Sequence, residues 1–335
     1  MKEFNASKED WTNWVKTIKT YSKPNAAKSW WQIINSFVPY FGLWVAMVYS
    51  LQISYWLTLA LSILAAGFLV RIFIIFHDCG HGSYFKSAKL KRVVGIIAGM
   101  LSFTPYHKWH FMHKTHHKTV GNLDKRGMGD VMTMTVEEYK NASDSKKRFY
   151  RLYRNPIILF FIAPFFLFSL INRFTSKDFP KKVNTYTHLT TLAILVVITA
   201  VSFWIGFKTF VLIQVPVLYF ASSFGVWLFY IQHQFKDVVW ERGDKWDYKT
   251  VAMTGSSYAK FPRIIQWFSG NIGFHHIHHL GPKIPNYNLE KCLKENPLFQ
   301  KEALTFLDSL KSMRYRLWDE KQHKLVSFRE AMLSE

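Results

Sequence analysis

Residues 65–81 read AAGFLVRIFIIFHDCGH, and this stretch decides the fold. It is the second half of an apolar run from about residue 54 to 76, long enough to cross a bilayer core, which takes about 20 helical residues. The run closes on His77 and His81, four residues apart, which a helix places one above the other on one face. A spanning helix that delivers two imidazoles at its polar end is the direct reading. Arg71 sits inside the run, six residues before His77. At that depth its guanidinium can snorkel to the interface, and a structural role is expected of it.

Outward from this stretch, apolar segments recur at about 31–51, 156–172, 188–206 and 209–231, with a shorter one at 93–103. The chain has 335 residues, 49% hydrophobic and 18% aromatic, and 43 Lys+Arg against 22 Asp+Glu leave a net charge of +21. The basic residues fall mostly between the apolar runs, which points to an anionic inner leaflet rather than to nucleic acid. Only Cys79 and Cys292 are present, without CxxC spacing. That excludes a disulfide framework and an iron–sulfur cluster, and it suits a reducing compartment. Residues 1–30 form an amphipathic N-terminus of mixed charge, without the apolar core of a signal peptide, expected on the cytoplasmic side.

Parity sets the expected topology. The connectors 52–53 and 207–208 are hairpin tips, while 77–155 and the tail from about 232 hold the charge and the histidine clusters. If the clusters build one site, they lie on one side of the membrane. Segment 156–172 contains Pro156 and Pro164 and is followed by Arg173, Lys177, Lys181 and Lys182. We therefore read it, like 93–103, as interfacial rather than crossing. The expectation is an all-α integral membrane fold of four spanning helices in two hairpins (about 31–51, 54–76, 188–206 and 209–231). A cytoplasmic helical cap, 77–187 and 232–335, holds a histidine-ligated di-metal site. Residues 31–335 form a single domain.

Of the 14 histidines, eight fall in three clusters: His77-Asp-Cys-Gly-His81, His113-Lys-Thr-His116-His117, and His275 with His278 and His279 in HHIHH. At this histidine frequency one HxxHH is expected by chance roughly 0.02 times, and there are two. Helical spacing lets the members of each cluster converge on one spot. Eight imidazoles are too many for one metal ion and enough for two; iron, zinc and copper all accept them. His276 is expected to face away, and His188 and His323 to be structural. His233, at the polar end of the last apolar run, becomes a plausible ninth ligand beside the clusters. Asp78, Asp124 and Asp130 are placed to orient imidazoles by hydrogen bonds, as is Asn271 one turn before His275 if that stretch is helical. His107 and His110, just upstream of the second cluster, are candidates for the same supporting role. Glu320-Lys-Gln-His323 is a lone Glu-x-x-His match and carries no weight.

The three boxes HDCGH, HKTHH and HHIHH resemble the histidine boxes of the membrane-bound fatty-acid desaturases. The likeness extends along the chain through NLDKRGMGD (122–130), RLYRNP (151–156), VNTY (183–186), GVWLFYIQHQF (225–235), GNIGFHHIHHLGPKIPNY (270–287) and RLWDE (316–320). These are similar to the cold-induced acyl-lipid desaturases of Gram-positive bacteria, delta-5 type. The resemblance implies two iron ions cycling between Fe2+ and Fe3+, O2 as co-substrate, and acyl chains of membrane phospholipids as substrate. A ferredoxin or flavodoxin would supply the electrons, and the setting would be a bacterial plasma membrane with the active site and both termini cytoplasmic. It assigns His77, His81, His113, His116, His117, His275, His278 and His279 as ligands, and makes His233 similar to the extra ligand after the last spanning helix. Some relatives have an Asn one turn before that position; here Phe229 stands there. The rival readings are a fatty-acyl hydroxylase on the same framework and a zinc transporter or metal sensor. Transport calls for ligands at mid-membrane depth, and these clusters sit at or beyond the ends of spans.

Overall fold

The computed structural model describes residues 12–333, so the first eleven residues of the expected amphipathic N-terminus lie outside it. Among the described residues four helices are long and apolar enough to cross a membrane: Ala26–Ser50, Tyr55–His81, Lys181–Ile205 and Phe207–His233. They form two hairpins, as the apolar runs predict, but most of their ends reach further. A helix of 27 residues is about 40 Å long, against a hydrocarbon core of about 30 Å. The surplus lifts His77, His81 and His233 out of the apolar layer. Polar residues such as Asp78 and Gln232 end the hydropathy signal without ending the helix.

The breaks have local causes. Gly82, at φ 74°, takes the left-handed conformation directly after His81, and its amide bonds back to the Asp78 and Cys79 carbonyls. Only glycine adopts this at no steric cost. Gly206, at φ 89°, turns the third spanning helix into the fourth. Segment 156–172 is not one straight helix. It breaks into a π-turn at Ile158–Ile162, the helix Ala163–Ser169 and a short 3-10 turn, bent by 57° from the helix Asp144–Tyr153. Pro164 directly follows the π-turn, and its missing N–H cannot donate to a carbonyl of that turn, which fits a break there.

The second spanning helix packs against both the first and the fourth, whereas the third is largely exposed along its length, as a lipid-facing helix would be. The cap is built on shorter helices, chiefly Ala88–Leu101, Tyr106–Thr119, Tyr248–Thr254, His275–Leu280 and Asn286–Glu295. One feature departs from the all-helical expectation: a small three-stranded sheet of Met134–Thr135, Leu317–Asp319 and Lys324–Val326, which ties RLWDE to the loop after Asp130. Strands of two or three residues give no period-2 signal in a sequence.

Candidate metal centre

Four elements bring nine imidazoles together. The end of the second spanning helix supplies His77 and His81, and helix Tyr106–Thr119 supplies His113, His116 and His117. The last residue of the fourth spanning helix is His233, and helix His275–Leu280 carries His275, His278 and His279. The ligand atoms fall into two groups: His77, His81, His113, His117 and His278, and His116, His233, His275 and His279. Within each group they lie within 4.8 Å of one another.

This corrects the expectation that each cluster converges on one spot. HKTHH sends its i,i+4 pair, His113 and His117, to the five-membered group and His116 to the other. HHIHH does the reverse, with His275 and His279 in the four-membered group and His278 in the first. The reason is geometric: consecutive residues lie about 100° apart around a helix, so the adjacent pairs 116/117 and 278/279 must look at different points.

The donor chemistry fits a cation in each group. Asp130 Oδ1 faces His116 Nδ1 and the Gly255 carbonyl faces His233 Nδ1 at 3.0 Å, so both Nδ1 atoms carry the proton. Each Nε2 then presents a lone pair, yet the two Nε2 atoms are 3.1 Å apart. Two lone pairs at that separation repel unless a positive ion lies between them. The same spacing recurs: His233 to His275 at 3.0 Å, His275 to His279 at 3.0 Å, His117 to His113 at 3.1 Å and His117 to His278 at 3.0 Å. With metal–nitrogen bonds of about 2.1 Å, ligands at right angles are ~3.0 Å apart and tetrahedral ones ~3.4 Å. The spacing and the five-donor group thus favour a coordination number above the four of structural zinc. Further imidazole nitrogens, His81 Nε2 among them, are buried without a protein partner.

Burial first, and neighbouring imidazoles second, hold His113, His117, His275, His278 and His279 well below the usual histidine pKa. These rings are neutral, the form that binds metal. Burial alone would raise the Asp130 carboxyl. The His116 ring and the Gly127 amide outweigh it and hold Asp130 below the usual carboxylate range. Asp78 Oδ1 accepts from His77 Nδ1 at 3.0 Å, while its Oδ2 accepts from the Asn286 amide at 2.7 Å and side chain at 2.9 Å. Asn286 also bonds Gln32, and Gln32 bonds Tyr84, linking the first spanning helix to this ligand. Asn286, Gln32 and the Gly255 carbonyl were not read from the sequence. Asn286 stands inside the GPKIPNY stretch, but no periodicity or spacing connects it with a residue 208 positions away.

Two of the expected supporting residues are elsewhere. Asp124 bonds Arg242 at 2.6 Å and the Gly243 amide at 2.9 Å, on the surface. A backbone bridge between Asn122 and Glu241 pins its turn to the 241–243 loop, away from the imidazoles. Asn271 has φ 61° and precedes the helix that begins at His275, so it is not one helical turn below that ligand. Its side chain bonds Gln266 and the Asn286 carbonyl instead. His107 stacks on Tyr186 at 4.1 Å and His110 on Tyr106 at 6.2 Å, and neither joins a ligand group. His276 turns away as expected, bonding the Phe299 carbonyl.

An apolar cavity abuts the centre between the second and fourth spanning helices. Leu69, Val70, Phe73 and Ile74 line it from one helix and Leu218, Ala221, Gly225 and Phe229 from the other, with Leu167 and Phe168 from the bent segment. His77 and His113 of the five-membered group and His275 of the four-membered group stand in its wall.

Comparison with known proteins agrees with this geometry. The profile of the fatty acid desaturase family matches residues 53–307. A fatty acid desaturase of Bacillus subtilis (strain 168) is 46% identical over 316 residues, 94% of this chain and 90% of that one. An sn-1 oleoyl-lipid 12-desaturase of Picosynechococcus sp. is 24% identical over 284 residues, 81% of this chain and 78% of that one. An endoplasmic-reticulum omega-3 fatty acid desaturase of Vigna radiata is 32% identical over 242 residues, 67% of this chain and 60% of that one. A helical membrane chain with two buried imidazole groups beside an apolar cavity, matched over most of its length, this protein belongs to the fatty acid desaturase family.

Proposed function

We propose that the protein inserts a cis double bond into saturated acyl chains of membrane phospholipids, with two irons held by the nine imidazoles. The observation that carries this reading is the apolar cavity with imidazoles of both groups in its wall. An unactivated methylene has no acidic proton and no leaving group, so no side-chain acid or base can attack it. Two irons, when bound, supply the redox chemistry that activates dioxygen for hydrogen removal from such a chain. The balance is –CH2–CH2– plus O2, two electrons and two protons giving –CH=CH– and two waters. This chain's residues do the rest. Leu69, Phe73, Ala221 and Phe229 exclude water and fix which carbons reach His77, His113 and His275. Asp78, Asp130 and the Gly255 carbonyl hold three imidazoles in the tautomer that presents Nε2.

The finer assignments rest on the sequence resemblance. They are delta-5 placement of the double bond, with delta-10 next, a ferredoxin or flavodoxin donor, and a role in keeping the membrane fluid in the cold. A net charge of +21 would steer an acidic donor to the cap, and a reduction rate unchanged by added salt would remove that argument. We place the protein in a bacterial plasma membrane with the cap cytoplasmic and the bent 156–172 segment interfacial. Ser176→Cys labelled from outside intact cells would overturn that topology.

The decisive test is expression in a bacterium that makes no unsaturated chains, with lipid analysis by mass spectrometry and metal analysis of the purified protein. New monounsaturated chains, with about two irons per chain, are expected. Hydroxylated chains would mean the related hydroxylation on the same framework, and zinc in place of iron with unchanged lipids would end the oxidative reading.

A further inference from the structure

A second basin, of about 880 Å³, lies on another face of the second spanning helix; Gln32 and Asn286 of the network behind Asp78 stand in its wall, but no imidazole of either group does. Its walls carry Lys28 from the first spanning helix, Arg71 from the second, and Lys260 and Arg263 from the segment that leads to the third histidine box. The one carboxylate in the wall, Glu290, is already paired with Lys294 at 2.6 Å. Lys28, Arg71, Lys260 and Arg263 form no ion pair among the described residues.

Arg71 is the informative member. It is only 7% exposed, it lies 3.8 Å over the Trp267 ring and donates to the Trp267 carbonyl, and its buried Nε has no partner. Six helical residues place it about 9 Å further into the membrane than His77. A guanidinium at that depth is costly without a counter-charge, and no carboxylate of the described chain supplies one. The rim lies at the membrane interface, since Ile264 is 67% and Trp267 38% exposed beside Arg263, as anchoring residues are. The missing anion therefore comes from the membrane, and a basin of this volume admits a headgroup.

We propose that this basin binds the phosphoryl group of an anionic phospholipid, with Arg71 at its inner end and Lys28, Lys260 and Arg263 around its rim. A guanidinium fork matches phosphate oxygens by paired hydrogen bonds, and Arg71 retains an unused N–H for it. The proposal concerns binding alone and stands whether or not the desaturation reading holds.

The full-length protein, purified in a neutral detergent, would be titrated with phosphatidylglycerol, phosphatidylcholine and inorganic phosphate separately, and bound ligand counted by native mass spectrometry. One phosphatidylglycerol per chain is expected at concentrations where phosphatidylcholine is not retained, with no displacement by equimolar phosphate. Lys260 and Arg263 are exposed, so the double variant Lys260→Gln, Arg263→Gln should fold normally and bind phosphatidylglycerol about 30-fold more weakly. A control, Lys181→Gln with Lys182→Gln at the start of the third spanning helix, should bind as the parent does. Equal binding by the rim variant and the parent would overturn the site, as would an equal loss in the control. Displacement by equimolar phosphate would overturn the lipid as its source.

Discussion

The two imidazole groups share the helices Tyr106–Thr119 and His275–Leu280 but take their remaining members from different spanning helices and are supported differently. In the five-membered group, two ligands project from one spanning helix, and His77 is backed by Asp78. That carboxylate is itself held by Asn286 and, through Gln32 and Tyr84, by the first spanning helix, all of it buried. In the four-membered group only His233 comes from a spanning helix. His116 leans on Asp130, whose carboxylate sits on a loop and is 17% exposed. Asp130 and His233 also line a separate small pocket with Arg126 and Trp240. One group is thus clamped by a network that crosses the fold, and the other by a loop carboxylate and a single carbonyl. The four-membered group is therefore expected to give up a bound metal first.

Removing a ligand from either group is the largest disturbance. His278→Ala and His233→Ala should each lower desaturation by more than about 100-fold, beyond the effect usual for a supporting residue. Metal analysis should find one ion lost, from a different group in each case. A His233→Ala protein that keeps full activity and both ions would remove that residue from the site.

The supporting carboxylates come next. Asp78→Asn and Asp130→Asn should each weaken metal retention by about 10–100-fold, measured by competition with a chelator. Asp78→Ala should additionally lower stability by about 1–3 kcal/mol, because the buried Asn286 amide loses its acceptor. Thermal unfolding would read this, and an equal loss in Asp130→Ala would erase the contrast between the groups.

Acid should act on both groups together. The buried imidazoles titrate near the ordinary histidine value, about 6.5, once unfolded, and well below it when folded. Between those values the unfolded chain binds more protons, so their contribution to stability is complete above about pH 6.5 and is lost as pH falls. Asp130, depressed from an already low value, stays charged throughout that window. The unfolding temperature of metal-free protein should fall from pH 7 to pH 5. A flat profile would contradict the assigned burial.

The smallest effects should come from residues next to the centre in sequence only. Asp124→Asn loses an exposed, solvent-screened ion pair with Arg242 and should leave metal content unchanged. Lipid analysis should show near-parental product for this variant.

Much of the fold was legible because its signals are local. Hydropathy located four long helices, and the ends drawn shortest were those that run into the cap, residues 77–81 of the second and 181–187 of the third. Eight candidate imidazoles were legible from residue type and helical spacing, and His233 from its place at the polar end of the last apolar run; the structure brings all nine into the two groups. Asp124 and Asn271 were misplaced because nearness in sequence stood in for nearness in space: one follows a turn bridged to residue 241, and the other precedes its helix rather than lying within it.

By itself, then, the sequence determined which segments enter the membrane and which side chains can bind metal, since apolar length and helical phase are properties of a segment alone. Tertiary structure alone decided that His116 and His117 join different imidazole groups, that Asn286 holds Asp78, and that Arg71 opens onto a basin whose one wall carboxylate, Glu290, is paired with Lys294. Helical phase says which way a residue faces. What it faces depends on how helices tens to hundreds of residues apart cross, and no local pattern carries that.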